Sequence, residues 1–212
     1  KLLAGSREAP EGDLEAEVRA WGLDLELLPD LHRDPHPLAD WRCRRQLAAR
    51  LRRERPDLLH AHGSKALVLA GLAARGTATR MVATAHGWPF HEQQRPPVRA
   101  AHIAALRHGL RQAAAIIAVS QATRQQGLQA GIGRPDQYHV IYPGADLDAF
   151  SAAAAHRAAA RAELGLPVQV PVIGSVMRLS AQKAPLDFVR AAALVAATHP
   201  EAHFVVIGSG PL

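Results

Sequence analysis

The sequence predicts an α/β protein built on parallel sheets, and three observations predict it. Short aliphatic runs alternate with segments of helical period along nearly the whole chain of 212 residues. Helices fall between successive buried runs, which places them on both faces of a parallel sheet. Apolar residues make up 48% of the chain but aromatics only 4%. The core must therefore be Ala, Leu, Val and Ile, as suits parallel strands covered by alanine-rich helices.

The elements follow in order. Residues 1–5 read as the end of a strand whose beginning is missing, and their apolar run is too short for a signal peptide. Residues 13–21 set Leu14, Val18 and Trp21 at helical spacing, and Gly22 closes that helix. Residues 23–28 form a strand, and 29–37 a turn-rich connector containing Pro29, Pro35 and Pro37. In the helix expected over 38–55, Leu38, Trp41, Ala48 and Leu51 share one face and the arginines occupy the others; Pro56 stops it. A buried strand over 57–61, a helix over 64–75 and a strand over 80–85 come next. A polar loop fills 87–97, before a helix over 98–112. Residues 115–119 are wholly apolar and expected to be a central strand. A helix over 121–130 ends at Gly131, and 138–142 is a further strand.

The character changes over 143–160. Pro143-Gly144 makes a turn, and an alanine-rich helix over 152–164 ends at Gly165-Leu166-Pro167. A strand over 170–177, a helix over 185–197 and a strand over 203–207 then form one β-α-β unit, which cannot bury both faces of its sheet. Two domains are expected: residues 1–150, with its start missing, and 151–212, incomplete.

The net charge is +6, and the excess is clustered. Arg42, Arg44, Arg45, Arg50, Arg52, Arg53 and Arg55 crowd one segment; Arg95, Arg99, Arg107 and Arg111 form a second group. No nucleic-acid partner is expected, because no nucleic-acid module is present and few aromatics are available for stacking. Peripheral association with an anionic membrane is the partner such a surface suggests. No apolar stretch is long enough to span a membrane. The single Cys43 excludes an internal disulfide and fits a reducing compartment, which points to a cytoplasmic protein at the inner face of the membrane. No acid–base motif surrounds Cys43, so it is read as inert.

Ligands of open parallel sheets bind beyond the carboxyl ends of the strands. His60-Ala61-His62-Gly63-Ser64-Lys65, His86-Gly87-Trp88, Ser120, Arg178 to Lys183, and Gly208-Ser209-Gly210 all follow strands. His60 and His62 are read as facing opposite sides of their strand end, and no metal is expected there because zinc-ligand spacings are absent. The helix N-terminus after Gly63 suits an anionic acceptor, with His62, Ser64 and Lys65 lining it. Asp146-Leu147-Asp148 has the form of a divalent-cation motif but follows a Pro-Gly turn, and no metal is assigned to it. Gly208 and Gly210 let the backbone approach a ligand. The absence of a Gly-x-Gly-x-x-Gly run argues against a dinucleotide dehydrogenase.

Thr84-Ala85-His86-Gly87, Val119-Ser120, Ile141 to Leu147, Gly174 to Lys183 and Ile207 to Leu212, in that order, resemble the successive signatures of the GT-B glycosyltransferases of family 4. The resemblance runs in register over nearly the whole chain, most densely from His60 onward. It implies two Rossmann-like domains, the second truncated here, with the acceptor held by the first and a nucleotide-diphosphate sugar by the second. It also implies retention of anomeric configuration, no metal or other cofactor, and a glycan, polysaccharide or lipid-linked acceptor of the cell envelope. His86 would be the cleft histidine near the transferred sugar, with Gly87 and Ser120 beside the substrates. Arg178 and Lys183 would stabilise the diphosphate leaving group, with Gly208 and Gly210 near the nucleotide. The family's glycine-rich acceptor loop falls before Lys1 and its paired-glutamate motif after Leu212, so this polypeptide alone is expected to be inactive or very weak. An epimerase or phosphorylase of the same fold, and a non-catalytic carbohydrate-binding protein, are the competing readings.

Overall fold

The computed structural model describes residues 1–5, 14–92 and 94–212, without the side chains of Ala149 and Ala154. The chain divides into two compact units, Lys1–Pro143 and Gly144–Leu212. In the first, β1 (Leu2–Gly5), α1 (Glu15–Ala20), β2 (Leu25–Leu28) and α2 (Pro37–Glu54) precede β3 (Leu58–His62), α3 (Ser64–Ala73), β4 (Arg80–Ala85) and α4 (Pro96–Leu110). β5 (Ala115–Ala118), α5 (Gln121–Gln129) and β6 (Tyr138–Val140) complete it. β1 and β2 pair in parallel, and a second parallel sheet runs β3-β4-β5-β6. The expected helix start at Asp13 lies outside the described residues. The apolar strand β5 is an inner strand, as its composition predicts. α4 opens at Pro96-Pro97, inside the expected loop, because proline at the first helical position loses no hydrogen bond.

Two apolar clusters hold this unit. One joins Leu67 of α3, Leu106 and Leu110 of α4, Met81 of β4 and Ile116 of β5. Burying a leucine or isoleucine of this kind contributes about 1.5–3 kcal/mol relative to exposure. The other joins Leu28, Cys43, Leu47, Leu51, Leu69 and Ala73, and Leu59 and Ala74 pack against both. α3 and α4 cross with their backbones touching: a Cβ on Gly71 would stand 1.9 Å from the Gly109 carbonyl oxygen.

The buried face of α2 differs from the expected one. Ala39, Cys43, Leu47 and Leu51, spaced by four residues, face the core, whereas Leu38 and Trp41 are 68% and 51% exposed. Two ion pairs along its flanks accompany that rotation. Arg50 holds Glu26 of β2 through both carboxylate oxygens, and Arg42 bonds Asp30. The Arg50 guanidinium, followed by Lys1, lowers the Glu26 carboxyl to about 2.

The second unit contains α6 (Leu147–Ala152), a 3-10 turn (Ala153–His156), α7 (Arg157–Glu163), β7 (Val172–Val176), α8 (Pro185–Ala196) and β8 (His203–Ile207). The single alanine-rich helix expected over 152–164 is thus two helices joined by a 3-10 turn. Buried Arg161 donates to the Pro167 and Val170 carbonyls, tying α7 to the approach of β7. β7 and β8 pair in parallel. Val176 and Ile207 remain exposed, in keeping with a single β-α-β unit that cannot cover both sheet faces. Among the described residues, no helix is long and apolar enough to cross a membrane.

Candidate functional site

Parallel pairing brings the carboxyl ends of β3, β4, β5 and β6 to one edge of the sheet. The register sets His60 opposite Val82 and His62 opposite Thr84. His60 and His62 lie on the same side of β3, not on opposite sides: successive side chains alternate, so residues two apart share a face. Their ring centroids are 4.2 Å apart. His60 Nε2 is 2.8 Å from Thr84 Oγ1, and His62 Nδ1 is 3.0 Å from His86 Nε2. The histidines thus form one group across two strand ends. Partial desolvation of the surface His62 imidazole, then the neighbouring His60 and His86, lowers it from its ordinary range. Among the described residues, no set of three or more His, Cys, Asp or Glu is arranged to hold a metal ion.

The other expected residues of this edge separate into two kinds. Ser64 opens α3 directly after Gly63, whose φ of +83° makes the sharp exit from β3. Gly87 follows His86 on the surface. Lys65 and Ser120, by contrast, have local partners. Lys65 Nζ is 2.6 Å from Asp40 Oδ1 and also donates to the Asp34 carbonyl, joining the start of α3 to the start of α2. Ser120 caps α5, its Oγ accepting from the Thr123 amide at 3.0 Å. Trp88 Nε1 donates to the Thr123 carbonyl at 2.8 Å, which ties the loop after His86 to α5. Asp40 and Thr84 were missed as partners of site residues. Thr84 lies within the Thr84-Ala85-His86-Gly87 motif, but nothing in the spacing of Asp40 and Lys65 announces their pairing.

A second group lies within the second unit. Arg178 and Lys183 occupy the connection from β7 to α8, with Lys183 closing a 3-10 turn (Ala181–Lys183). Parallel pairing continues past the strands: the Met177 amide donates to Ile207 O at 3.0 Å and the Leu179 amide to Ser209 O at 2.9 Å. The segment carrying Arg178 therefore runs alongside the segment carrying Gly208 and Gly210. A Cβ on Gly208 would stand 1.9 Å from Met177 O, and one on Gly210 2.1 Å from Leu179 O. Both glycines admit a backbone neighbour, whatever ligand they serve. The Ser180 hydroxyl, between Arg178 and Lys183, is buried with no hydrogen-bond partner among the described residues.

A cavity of about 750 Å³ opens at the opposite edge of the first unit, where β3 and β4 begin, lined by Arg52, Arg55, Asp57, Thr77, Thr79 and Arg80. Arg52 and Arg55 of the basic cluster line it, but none of the strand-end residues that the sequence marks do.

Comparison with known proteins places the chain as a whole. The chain is 28% identical over 202 residues to the Escherichia coli UDP-Gal:alpha-D-GlcNAc-diphosphoundecaprenol alpha-1,3-galactosyltransferase, covering 94% of this chain and 51% of that protein. It is 32% identical over 163 residues to the D-inositol 3-phosphate glycosyltransferase of Mycolicibacterium gilvum, covering 73% of this chain and 35% of that protein. The chain thus spans about half the length of the first relative and a third of the second. Its fold matches that of Anabaena HepE, solved in complex with UDP and glucose, with a TM-score of 0.69 at 22% identity over 98% of this chain and 53% of HepE. The α/β fold with parallel sheets is that of the GT-B glycosyltransferases. Residues 6–149 match the family model described as Glycosyltransferase Family 4, and the chain belongs to that family.

Proposed function

We propose that this chain supplies the acceptor-side domain and the first diphosphate-binding unit of a retaining, metal-independent glycosyltransferase. It moves a sugar from a nucleotide-diphosphate donor to a lipid-linked, cell-envelope or polysaccharide acceptor. One observation carries the reading: in a family 4 chain, the marked residues of both units cluster where parallel strands end or where the following helix begins. His62 and His86 do so in the first unit, and Arg178, Lys183, Gly208 and Gly210 in the second. Two comparisons support it. The Escherichia coli relative is named for a UDP-linked sugar and a diphosphoundecaprenol acceptor, and HepE was solved with UDP and glucose.

In this reading an acceptor hydroxyl attacks the anomeric carbon from the face that the diphosphate leaves. The bond from that carbon to the phosphate oxygen breaks, and the acceptor proton passes to the departing phosphate. Arg178 and Lys183 hold the charge that grows on the diphosphate, without a metal. His86 hydrogen-bonds a sugar hydroxyl or the departing phosphate, and His62 and Ser64 line the acceptor side. The enzyme works at the cytoplasmic face of the membrane, held there peripherally.

The test is sugar transfer by the full-length protein, with UDP-galactose and UDP-glucose offered as donors. Arg178→Ala and Lys183→Ala each lower kcat/KM by about a hundredfold or more, as loss of a leaving-group donor does, with little change in thermal unfolding. Near-normal turnover of either variant overturns the assignment of that residue. Retention of anomeric configuration is read from the product by NMR, and an unchanged rate in EDTA is expected of a metal-independent enzyme.

A further inference from the structure

The outer face of α2 combines features that a purely solvated helix does not need. At 3.6 residues per turn, Leu38, Trp41, Arg45, Ala49 and Arg52 fall within about 80° of arc. All are exposed, and they lie opposite the buried stripe of Ala39, Cys43, Leu47 and Leu51. A leucine and a tryptophan occupy the first turns, and Arg45 and Arg52, with the small Ala49 between them, the rest. The Arg45 guanidinium sits 4.7 Å from the centre of the Trp41 ring. α2 carries Arg42, Arg44, Arg45, Arg50, Arg52 and Arg53 against only Asp40 and Glu54. Both acids are engaged off this stripe, Asp40 by Lys65 and Glu54 by Arg50 and Arg53. No carboxylate therefore interrupts the outer stripe.

We infer that the outer face of α2 docks on an anionic lipid bilayer, with Leu38 and Trp41 entering the headgroup region and Arg45 and Arg52 resting on lipid phosphates. This rests on the peripheral-membrane reading above and gives it a surface. A bilayer rewards this particular mixture: indole and alkyl groups partition to its interface, and guanidinium groups are attracted to its phosphates. The surface runs along one 18-residue helix, about 27 Å long, and so suits a plane. Its apolar end is also its functional end. The Lys65–Asp40 ion pair joins the start of α2 to the start of α3, and α3 begins two residues after His62. Docking by Leu38 and Trp41 therefore brings the histidine edge of the sheet towards the lipid surface, where a lipid-linked acceptor resides.

The experiment is co-sedimentation of the chain with vesicles of phosphatidylcholine, with and without phosphatidylglycerol, together with tryptophan emission. Binding only to the anionic vesicles is expected, with a blue shift that is lost in Trp41→Phe. Leu38→Ser and Trp41→Ser each weaken partitioning about tenfold, and Arg45→Glu and Arg52→Glu each by about fivefold or more. Trp21→Ser, at an exposed tryptophan outside this face, leaves binding unchanged. Raising salt from about 0.1 to about 1 M, which shortens the Debye length from about 10 to about 3 Å, weakens binding. Failure to bind, equal binding to neutral vesicles, or indifference to the α2 variants overturns the proposal. So does a vesicle-indifferent chain whose concentration-dependent dimer is lost on Trp41→Ser, because a second copy then covers the face. Vesicle binding by a full-length protein that transfers no sugar upholds the docking surface and overturns the transferase reading. Transfer without vesicle binding does the reverse.

Discussion

His62 Nδ1 stands 3.0 Å from His86 Nε2, across the ends of two adjacent parallel strands. One nitrogen must donate and the other accept, so this bond exists only while at least one of the two rings is neutral. Partial desolvation and the neighbouring histidines hold the His62 proton affinity below the ordinary 6.5.

The pH dependence follows with a definite sign. A histidine whose folded pKa is depressed binds more protons unfolded than folded in the window below 6.5. Its contribution is present above the unfolded value and is lost as pH falls towards the folded one. His62→Gln is therefore expected to flatten the acid-side loss of stability in that window, measured by urea unfolding at a series of pH values. Imidazole NMR of the parent should show His62 titrating below 6.5. An unchanged acid slope in the variant contradicts the coupling.

Gly208 and Gly210 offer no side chain to a ligand, yet substituting them should impair nucleotide binding. A Cβ at either position meets the 177–179 backbone, at 1.9 Å from Met177 O for Gly208 and 2.1 Å from Leu179 O for Gly210, and must displace the segment that carries Arg178. UDP affinity of the full-length Gly208→Ala protein, measured by calorimetry, is expected to fall about tenfold or more, the scale of 1.4 kcal/mol lost from positioning. Wild-type affinity would show that the loop accommodates the methyl group.

The α3–α4 crossing is a packing prediction independent of function. Gly71→Ala places a methyl group against the Gly109 backbone, and overpacking of this kind costs about 1–3 kcal/mol. The melting temperature of the first unit should fall by several degrees, as followed by circular dichroism. Ala104→Ser, at an exposed position of the same α4 helix, should not shift it.

Cys43 is fully buried beside Leu47 and Leu28, and burial pushes its thiol up from the usual range. It is expected to resist thiol reagents in the native protein and to react once the chain is unfolded in urea. Rapid labelling under native conditions would mean that α2 lifts from the core.

The sequence by itself determined the alternation of strands and helices, the inner position of β5, and which polar residues follow the strand ends. Those features are written in local periodicity and in punctuation by Gly and Pro, which act over a few residues. It also marked His86, Arg178 and Lys183 through motifs that keep their order along the chain. Only the tertiary structure decided which side of α2 faces inward. Leu38 and Trp41 are the bulkier apolar residues, yet the evenly spaced stripe turns inward, and its Cys43, Leu47 and Leu51 pack with Leu28, Leu69 and Ala73. Only the structure, too, joined His62 to His86, Lys65 to Asp40 and Gly208 to Met177. Each pair is brought together by sheet register or helix packing between segments 24 or more residues apart for the first two. No local pattern encodes such a meeting, because it depends on how whole elements settle against one another.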